Sequence, residues 1–288
     1  MDIKFSVVIT TYNRPDFLKE ALLGIRAQSY QPSEIIIIDD NSSSSYSEVL
    51  PLIREMSANY IRQPKSCGAN RARNIGVSIA TGDVVAFLDD DDIWLPDYLQ
   101  SHFDLYVDGA KALVSGFKQL GNESVEVVNP DLAITKTSLQ RGNTYCGMSG
   151  FSASKDILKE HPFDEELNNG QDWDMYVRLF QLNIDFRNIP SPIFLYRFQN
   201  EDGIGAKVRK MNPSEIDKRL GSAVKHREFL GKYWFNKRIS EQILFSLKYK
   251  KRKLSWILKS IEMTGLAPTM MFFFRAVKRK ITKRPMSI

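Results

Sequence analysis

The chain has 288 residues and little of what marks small stapled or membrane-spanning proteins. It holds only 2 cysteines, Cys67 and Cys146, with no CxxC spacing, which excludes a disulfide framework and a cysteine-based zinc site. Its 3 histidines, His102, His161 and His226, lie outside any motif and are expected on the surface or in packing. No stretch approaches the roughly 18 consecutive apolar residues of a transmembrane helix. The first strand is not followed by GxGxxG, which argues against a dinucleotide dehydrogenase, and no Walker-type GxxxxGK[ST] occurs. Internal repeats are absent, and Ser42 to Ser45 is the one low-complexity stretch. Met1-Asp2-Ile3-Lys4 leads almost directly into a strand, without the pattern of an export signal, so a cytoplasmic protein is expected.

What is present suits a globular protein. An apolar content of 43% supports one large domain, or a domain of about 200 residues with an appendage. The net charge of +6 is unevenly distributed. From Lys237 onward there are 14 basic and 2 acidic residues, leaving 26 basic and 32 acidic before it. A basic tail on a mildly acidic body predicts an anionic surface as partner.

Strand and helix alternate through the first 90 or so residues. Ser6 to Thr10 and Glu34 to Ile38 read as buried strands, Arg14-Pro15 opens a helix, and Tyr46 to Ser57 reads as another. Tyr60 to Arg62 is a short strand, Ala69 to Thr81 a helix, and Val84 to Leu88 a further strand. Uninterrupted apolar strands between helices predict a parallel sheet covered on both faces. Ala112 to Phe117, Val125 to Val128 and Pro192 to Phe198 are later strands, Gln171 opens a helix, and Asn129 to Gly150 has no clear pattern.

Ligands bind such sheets beyond the carboxyl ends of the strands. Three of those ends are polar: Thr10-Thr11-Tyr12-Asn13, Asp39-Asp40-Asn41-Ser42 and Asp89 to Asp92. Four carboxylates in a row repel one another, and a divalent cation with hard oxygen ligands, Mg²⁺ or Mn²⁺, would relieve the repulsion while bridging to a substrate phosphate. The simpler reading is a solvated acidic turn that caps the next helix. Asp39-Asp40 could likewise be an Asx turn. Arg71 and Arg73 stand near a helix start, a poor place for cations unless an anion is close. Trp173 and Tyr176 have core spacing, whereas Trp94 suits either a sugar or the core. Asp172 and Asp174 could be ordinary acids of a helix N-terminus.

Taken in order, Ser6 to Arg14, Ile37 to Ser42, Ala72 to Gly76, Thr81 to Asp83, Phe87 to Asp92 and Gln171 to Asp174 resemble family 2 glycosyltransferases of the GT-A fold, the type that builds bacterial surface polysaccharides. The resemblance covers about residues 5 to 200 and implies an α/β fold, a Rossmann-like, mostly parallel sheet with flanking helices. It implies that Thr10, Tyr12 and Asp40 bind the nucleobase of a donor, and that Asp89 and Asp91 are the DxD pair for ribose and metal. Asp172 would be the base at the start of the acceptor-side helix. Arg14, Arg71, Arg73 and Asp90 are counted with the donor-binding residues. Family members often have His where this chain has Gln199, which departs from the pattern.

The chemistry expected is inverting, metal-dependent transfer of a hexose from a UDP-sugar to a saccharide acceptor. A metal stabilises the departing diphosphate and a carboxylate takes the acceptor's proton from the opposite face. Residues 1–110 would form the donor half, 111–205 the acceptor and catalytic half, and 206–288 a helical, basic, membrane-associating region. In that last region Ile243 to Ile261 has helical spacing that Gly265 and Pro268 interrupt. Met270 to Phe274 then leads into Arg275, Lys278, Arg279, Lys280, Lys283 and Arg284, a combination that suits an anionic membrane interface. The expectations are a polyprenyl-diphosphate-linked O-antigen or capsule acceptor, a peripheral position on the cytoplasmic face of the bacterial inner membrane, and no nucleic-acid partner. A sugar-nucleotide pyrophosphorylase and a non-catalytic nucleotide-sugar-binding protein are the alternatives.

Overall fold

The computed structural model describes residues 3–198 and 211–282, with side chains as far as residue 277. Gln199, Lys283 and Arg284 lie outside the described residues. The chain divides into two compact units, residues 1–135, 145–165 and 178–197, and residues 136–144, 166–177 and 198–288.

The first unit is built on a nine-stranded sheet. One parallel part comprises β1 (Phe5–Thr11), β2 (Glu34–Asp39), β3 (Asn59–Arg62) and β4 (Val84–Asp89), in the order β3-β2-β1-β4. Val7, Val8 and Ile9 of β1, Ile36 to Ile38 of β2 and Val85 to Leu88 of β4 are buried, as expected for strands covered on both faces. The sheet continues through β8 (Phe151–Ser154), β6 (Ala112–Gln119), β9 (Phe186–Tyr196) and β5 (Ile93–Trp94), while β7 (Asn122–Val127) pairs with β6. The fold is therefore α/β with a mostly parallel sheet, as the apolar runs predict.

Helix α1 (Pro15–Arg26) begins at its proline, whose missing N–H is no loss in a first turn, and buries Leu18, Ala21, Leu22 and Ile25. Between β2 and β3 lies α2 (Leu50–Glu55), shorter than the predicted 46–57. The serine run before it is held otherwise: the Ser43 and Ser44 N–H groups donate to Asn13 Oδ1, and Ser47 N–H donates to Ser45 Oγ. Side chains thus satisfy a backbone that would otherwise seek helical partners. Helix α3 (Ala69–Ile79) starts after Gly68, at φ 88°, and packs close to the sheet at Gly76. A Cβ at Gly76 would collide with the Val8 side chain. After β5, α4 (Tyr98–Val107) buries Tyr98, Leu99, His102 and Tyr106. Trp94 is buried, stacks 4.0 Å from Tyr98, and donates its indole N–H to the Ser149 carbonyl, so it closes the core.

Strand β9 is longer than the predicted 192–198, because its register against β6 shifts around Ser115 to Phe117 and so accommodates Pro190 and Pro192. The patternless stretch 129–150 contains α5 (Lys136–Arg141) in the second unit. The first unit also carries α6 (Lys155–Glu160), and α7 spans Gln171–Gln181.

The second unit is helical. Besides α5 and the first turns of α7 it holds α8 (Asp217–Lys225), α9 (Arg227–Leu244, broken at Gly231), α10 (Lys253–Thr264) and α11 (Leu266–Thr282). The predicted 240–262 helix is interrupted between α9 and α10, where Ser246 and Arg252 have positive φ. Gly265 ends α10 as expected, but Pro268 does not break a helix: it sits in the first turn of α11, whose N–H groups have no intrahelical acceptor. Trp173, Leu220, Leu230, Ile239, Ile243 and Trp256 fill this core, and Tyr176 is buried as well. Among the described residues no helix is long and apolar enough to cross a membrane.

Candidate active site

Register brings three polar strand ends to one edge of the first unit. Thr10 is level with Asp89, Thr11 with Asp39, and Asp39 with Arg62. Because the strands are parallel, the loops that leave them emerge side by side.

At the end of β2, Asp39 is fully buried. Its Oδ1 accepts from the Ser42 N–H at 2.8 Å and the Ser42 hydroxyl at 2.6 Å, and Oδ2 accepts from Tyr60 at 2.5 Å. Asp39 is thus a turn-holding acid that accepts from the N–H three residues on, not two as in an Asx turn. Asp40 instead faces the loop before α3, accepting from the Cys67 N–H at 2.7 Å, the Gly68 N–H at 2.9 Å and the Ser66 hydroxyl at 2.7 Å.

The four carboxylates after β4 have separate environments. Asp89 accepts from Arg73 at 2.6 Å. Asp90 is 4% exposed and turns toward β1, accepting from the Thr11 hydroxyl at 2.8 Å and the Tyr12 N–H at 3.3 Å. Arg14 reaches Asp90 at 3.3 Å and Asp91 at 2.9 Å. Asp92 is buried and accepts from the Ser149 hydroxyl at 2.6 Å and the Arg197 N–H at 2.9 Å. Arg197 also donates to the Asp91 carbonyl, pairs with Glu20 at 2.5 Å and stacks 4.4 Å from the Phe17 ring.

Electrostatics follow from this crowding. Burial, then the neighbouring Asp91 charge, push the Asp90 carboxyl up to about 7. Asp91 is raised by burial and by Asp89, and Asp92 is raised well above the carboxylate range by burial and then Asp91. Burial alone would lower the Arg14 guanidinium, but Asp90 and Asp91 hold it above its usual value. The ribbon is therefore short of positive charge. Asp89 and Asp91, with side chains 32% and 20% exposed, are the members open to solvent.

In the second unit, Asp172 opens α7. Its Oδ2 accepts from Asn143 at 2.7 Å and its Oδ1 from the Trp173 N–H at 2.8 Å. Trp173 is buried, with its indole N–H on the Leu139 carbonyl at 2.7 Å and the Arg238 guanidinium 3.6 Å from its ring centre. Asp174 is buried against Lys225 at 2.9 Å and His226 at 2.7 Å, a structural pair.

Residues 6–165, more than half of the chain, match the sequence model of Glycosyl transferase family 2. The chain belongs to that family. An uncharacterized glycosyltransferase of Nostoc is 32% identical over 182 residues, covering 56% of this chain and 54% of the relative. The amylovoran biosynthesis glycosyltransferase AmsB of Erwinia amylovora is 30% identical over 218 residues, covering 70% of this chain and 72% of its own length. S. aureus TarS in complex with UDP-GlcNAc has a TM-score of 0.70 at 18% identity, covering 89% of this chain and 79% of that one. The mannosyltransferase PcManGT of Pyrobaculum calidifontis, in complex with GDP-Man and Mn²⁺, has a TM-score of 0.62 at 13% identity, covering 97% and 81%. These two likenesses show the GT-A fold.

For this family 2 glycosyltransferase, the structure gathers Thr10, Tyr12, Arg14, Asp40, Arg73, Asp89, Asp90 and Asp91 around one sheet edge. Arg71 does not join them: it pairs with Glu165 at 3.5 Å. The anion expected beside Arg73 is Asp89, a protein carboxylate. His102 and His226 are buried, so packing and not surface is their place. Sequence reasoning passed over Thr11, Tyr46 and Arg197. Thr11 could have been found from strand alternation, because it and not Thr10 meets Asp90, while Tyr46 donates or accepts at 2.7 Å from Thr11 Oγ1. Arg197 forms its contacts across more than 100 residues of sequence, and no local pattern signals them.

Proposed function

We propose that the chain transfers a hexose from a UDP-sugar to a saccharide acceptor, with inversion at the anomeric carbon and a divalent cation at Asp89 and Asp91. The observation that carries this reading is the convergence of the β1, β2 and β4 ends on a crowded, half-open acidic ribbon. Among the described residues no cluster of three or more His, Cys, Asp or Glu side chains could hold a metal. Asp89 and Asp91, the solvent-open members of a ribbon of four carboxylates that Arg14 and Arg73 offset only in part, nevertheless suit Mn²⁺ or Mg²⁺ that takes its other ligands from donor phosphates. Bound there, the ion would offset charge on the departing diphosphate.

The chain's own residues do the rest. Thr10, Tyr12 and Asp40 bind the base, and Arg14, Arg73 and Asp90 order the ribbon. Asp172, positioned by Asn143, takes the acceptor hydroxyl proton as its oxygen bonds the anomeric carbon and the bond to the diphosphate breaks. In this reading residues 1–110 serve the donor and 111–205 the acceptor. The UDP-GlcNAc bound by TarS supports a UDP donor, and the role of AmsB in amylovoran biosynthesis supports a polysaccharide pathway. A polyprenyl-diphosphate-linked acceptor and a peripheral position on the inner membrane fit the apolar stripe on α10 and α11. Leu254 and Leu258 on α10, and Leu266, Met270, Phe274 and Val277 on α11, are exposed.

The test is UDP release by the purified full chain offered UDP-glucose, UDP-galactose and their N-acetyl forms, with Mn²⁺ or with EDTA. Turnover of at least one donor that EDTA abolishes is expected. Turnover indifferent to EDTA would overturn the metal assignment, and no turnover with any UDP-sugar would overturn the donor.

A further inference from the structure

Among the described residues of the second unit, Arg238 and Arg275 have shielded guanidinium nitrogens without a hydrogen-bond partner. Arg238 on α9 lies over Trp173, and its Nε and Nη1 are closed off from solvent without a hydrogen-bond partner, although other atoms of the residue reach the surface. Arg275 on α11 brings Nη2 to 3.5 Å from Glu241 Oε1, yet neither its Nε nor its Nη2 makes a hydrogen bond. Glu241 stands three residues after Arg238 on α9, so one carboxylate serves two guanidinium groups. Burial lowers Arg238 to about 10, with Asp172 and Glu241 opposing the shift. Asp172 attracts Arg238, but its oxygens accept from Asn143 and from the Trp173 N–H. Buried polar groups are satisfied in nearly all native structures, and four shielded guanidinium nitrogens, on two arginines that share the Glu241 charge, call for an oxygen-rich anion.

We propose that Arg238 and Arg275 form a binding site for the diphosphate of the acceptor, next to the candidate base. A guanidinium fork matches phosphate oxygens in a way that a neutral saccharide cannot. Two features narrow the class. Arg238 rests on the residue that follows Asp172, so an anion held there is a neighbour of the proton acceptor. Arg275 shares α11 with the exposed apolar side chains of Met270, Phe274 and Val277, so a hydrocarbon chain leaving a diphosphate on Arg275 would pass around that helix to reach them. The ligand is a prenyl-type diphosphate that carries the acceptor sugar. This inference rests on the glycosyl-transfer reading for the role of Asp172, but the anion site itself does not.

The experiment is titration calorimetry on the full chain in EDTA, with inorganic pyrophosphate, farnesyl diphosphate and farnesol as probes, on wild type, Arg238→Met, Arg275→Met and Asp91→Asn. Wild type and Asp91→Asn should bind both diphosphates and not farnesol. Each arginine variant should bind them at least ~10-fold more weakly, the scale of a lost charge-assisted pair. UDP affinity with Mn²⁺ should be unchanged in the arginine variants. Arginine variants that bind pyrophosphate as wild type does would overturn the site. So would binding lost in Asp91→Asn, which would place the diphosphate in the donor crevice. If Arg238→Met does not fold, Arg238→Lys and Arg275→Met decide. Phosphatidylglycerol vesicles form a second arm: if they, and not farnesyl diphosphate, lose affinity in the variants, the anion is a lipid headgroup and the acceptor assignment fails. Loss of UDP-sugar turnover alongside arginine-dependent pyrophosphate binding would sink the donor reading and leave the anion site standing.

Discussion

Asp172 and Asn are nearly isosteric, and the carboxylate is held by an Asn143 amide and a main-chain N–H, of which an amide oxygen can still accept one. Asp172→Asn should therefore fold normally, bind UDP as before and transfer sugar at least ~100-fold more slowly, the usual scale for loss of a general base. Surviving activity in a steady-state assay would remove Asp172 from the chemistry. His102 makes a different prediction. It is fully buried, with Nδ1 2.7 Å from Ser152 Oγ, and burial holds it at about 3. Its folded-state value lies below the unfolded one of about 6.5, so below that pH the unfolded chain takes up a proton that the native state refuses. Stability from this group is full above about 6.5 and falls as pH drops toward 3, by about 2 kcal/mol at pH 5. Thermal melts from pH 7 to pH 5 should show this loss, and His102→Asn should start lower and flatten the acid slope. At this scale sequence was legible only in part. Asp172 was visible through a family pattern, since alone it is one more acid at a helix start. Arg238 has no motif at all, because what distinguishes it is a missing acceptor.

The strands of the first unit were readable because burial on both faces demands unbroken apolar runs, and β1, β2 and β4 have them. Helices were less legible wherever side chains compete for the backbone, as the serines before α2 do with Asn13. Chain breaks depend on position as much as on residue type: Pro268 is harmless in a first turn, while Gly231 divides α9. Gly76 gave no sign from sequence that α3 presses on β1 there. Gly76→Ala would press a methyl into both Cγ atoms of Val8, a buried β-branched side chain with little freedom to turn away. We expect a loss of about 1–3 kcal/mol by chemical denaturation, the range for overpacking, with partial recovery in the Val8→Ala double variant. No loss would mean that α3 and β1 can part at Gly76 without cost.

For the whole molecule, charge asymmetry was legible from composition, whereas the stripe on α10 and α11 needed the helices to be placed before their exposed faces could be seen. The full chain should sediment with phosphatidylglycerol vesicles, bind neutral phosphatidylcholine vesicles less, and lose affinity at high salt as basic residues near the surface are screened. Met270→Glu with Phe274→Glu should reduce sedimentation while leaving UDP binding intact; undiminished sedimentation would exclude the stripe as the contact. Finally, Asp40 grips the loop at residues 66–68 from which α3 departs, and α3 carries Arg73 to Asp89. One rigid lever thus joins the pocket assigned to the base with the carboxylate assigned to the ion. Damage at position 40 should be transmitted along that lever, so a weakened metal response in an Asp40 variant would report a displaced helix as readily as a lost nucleobase contact.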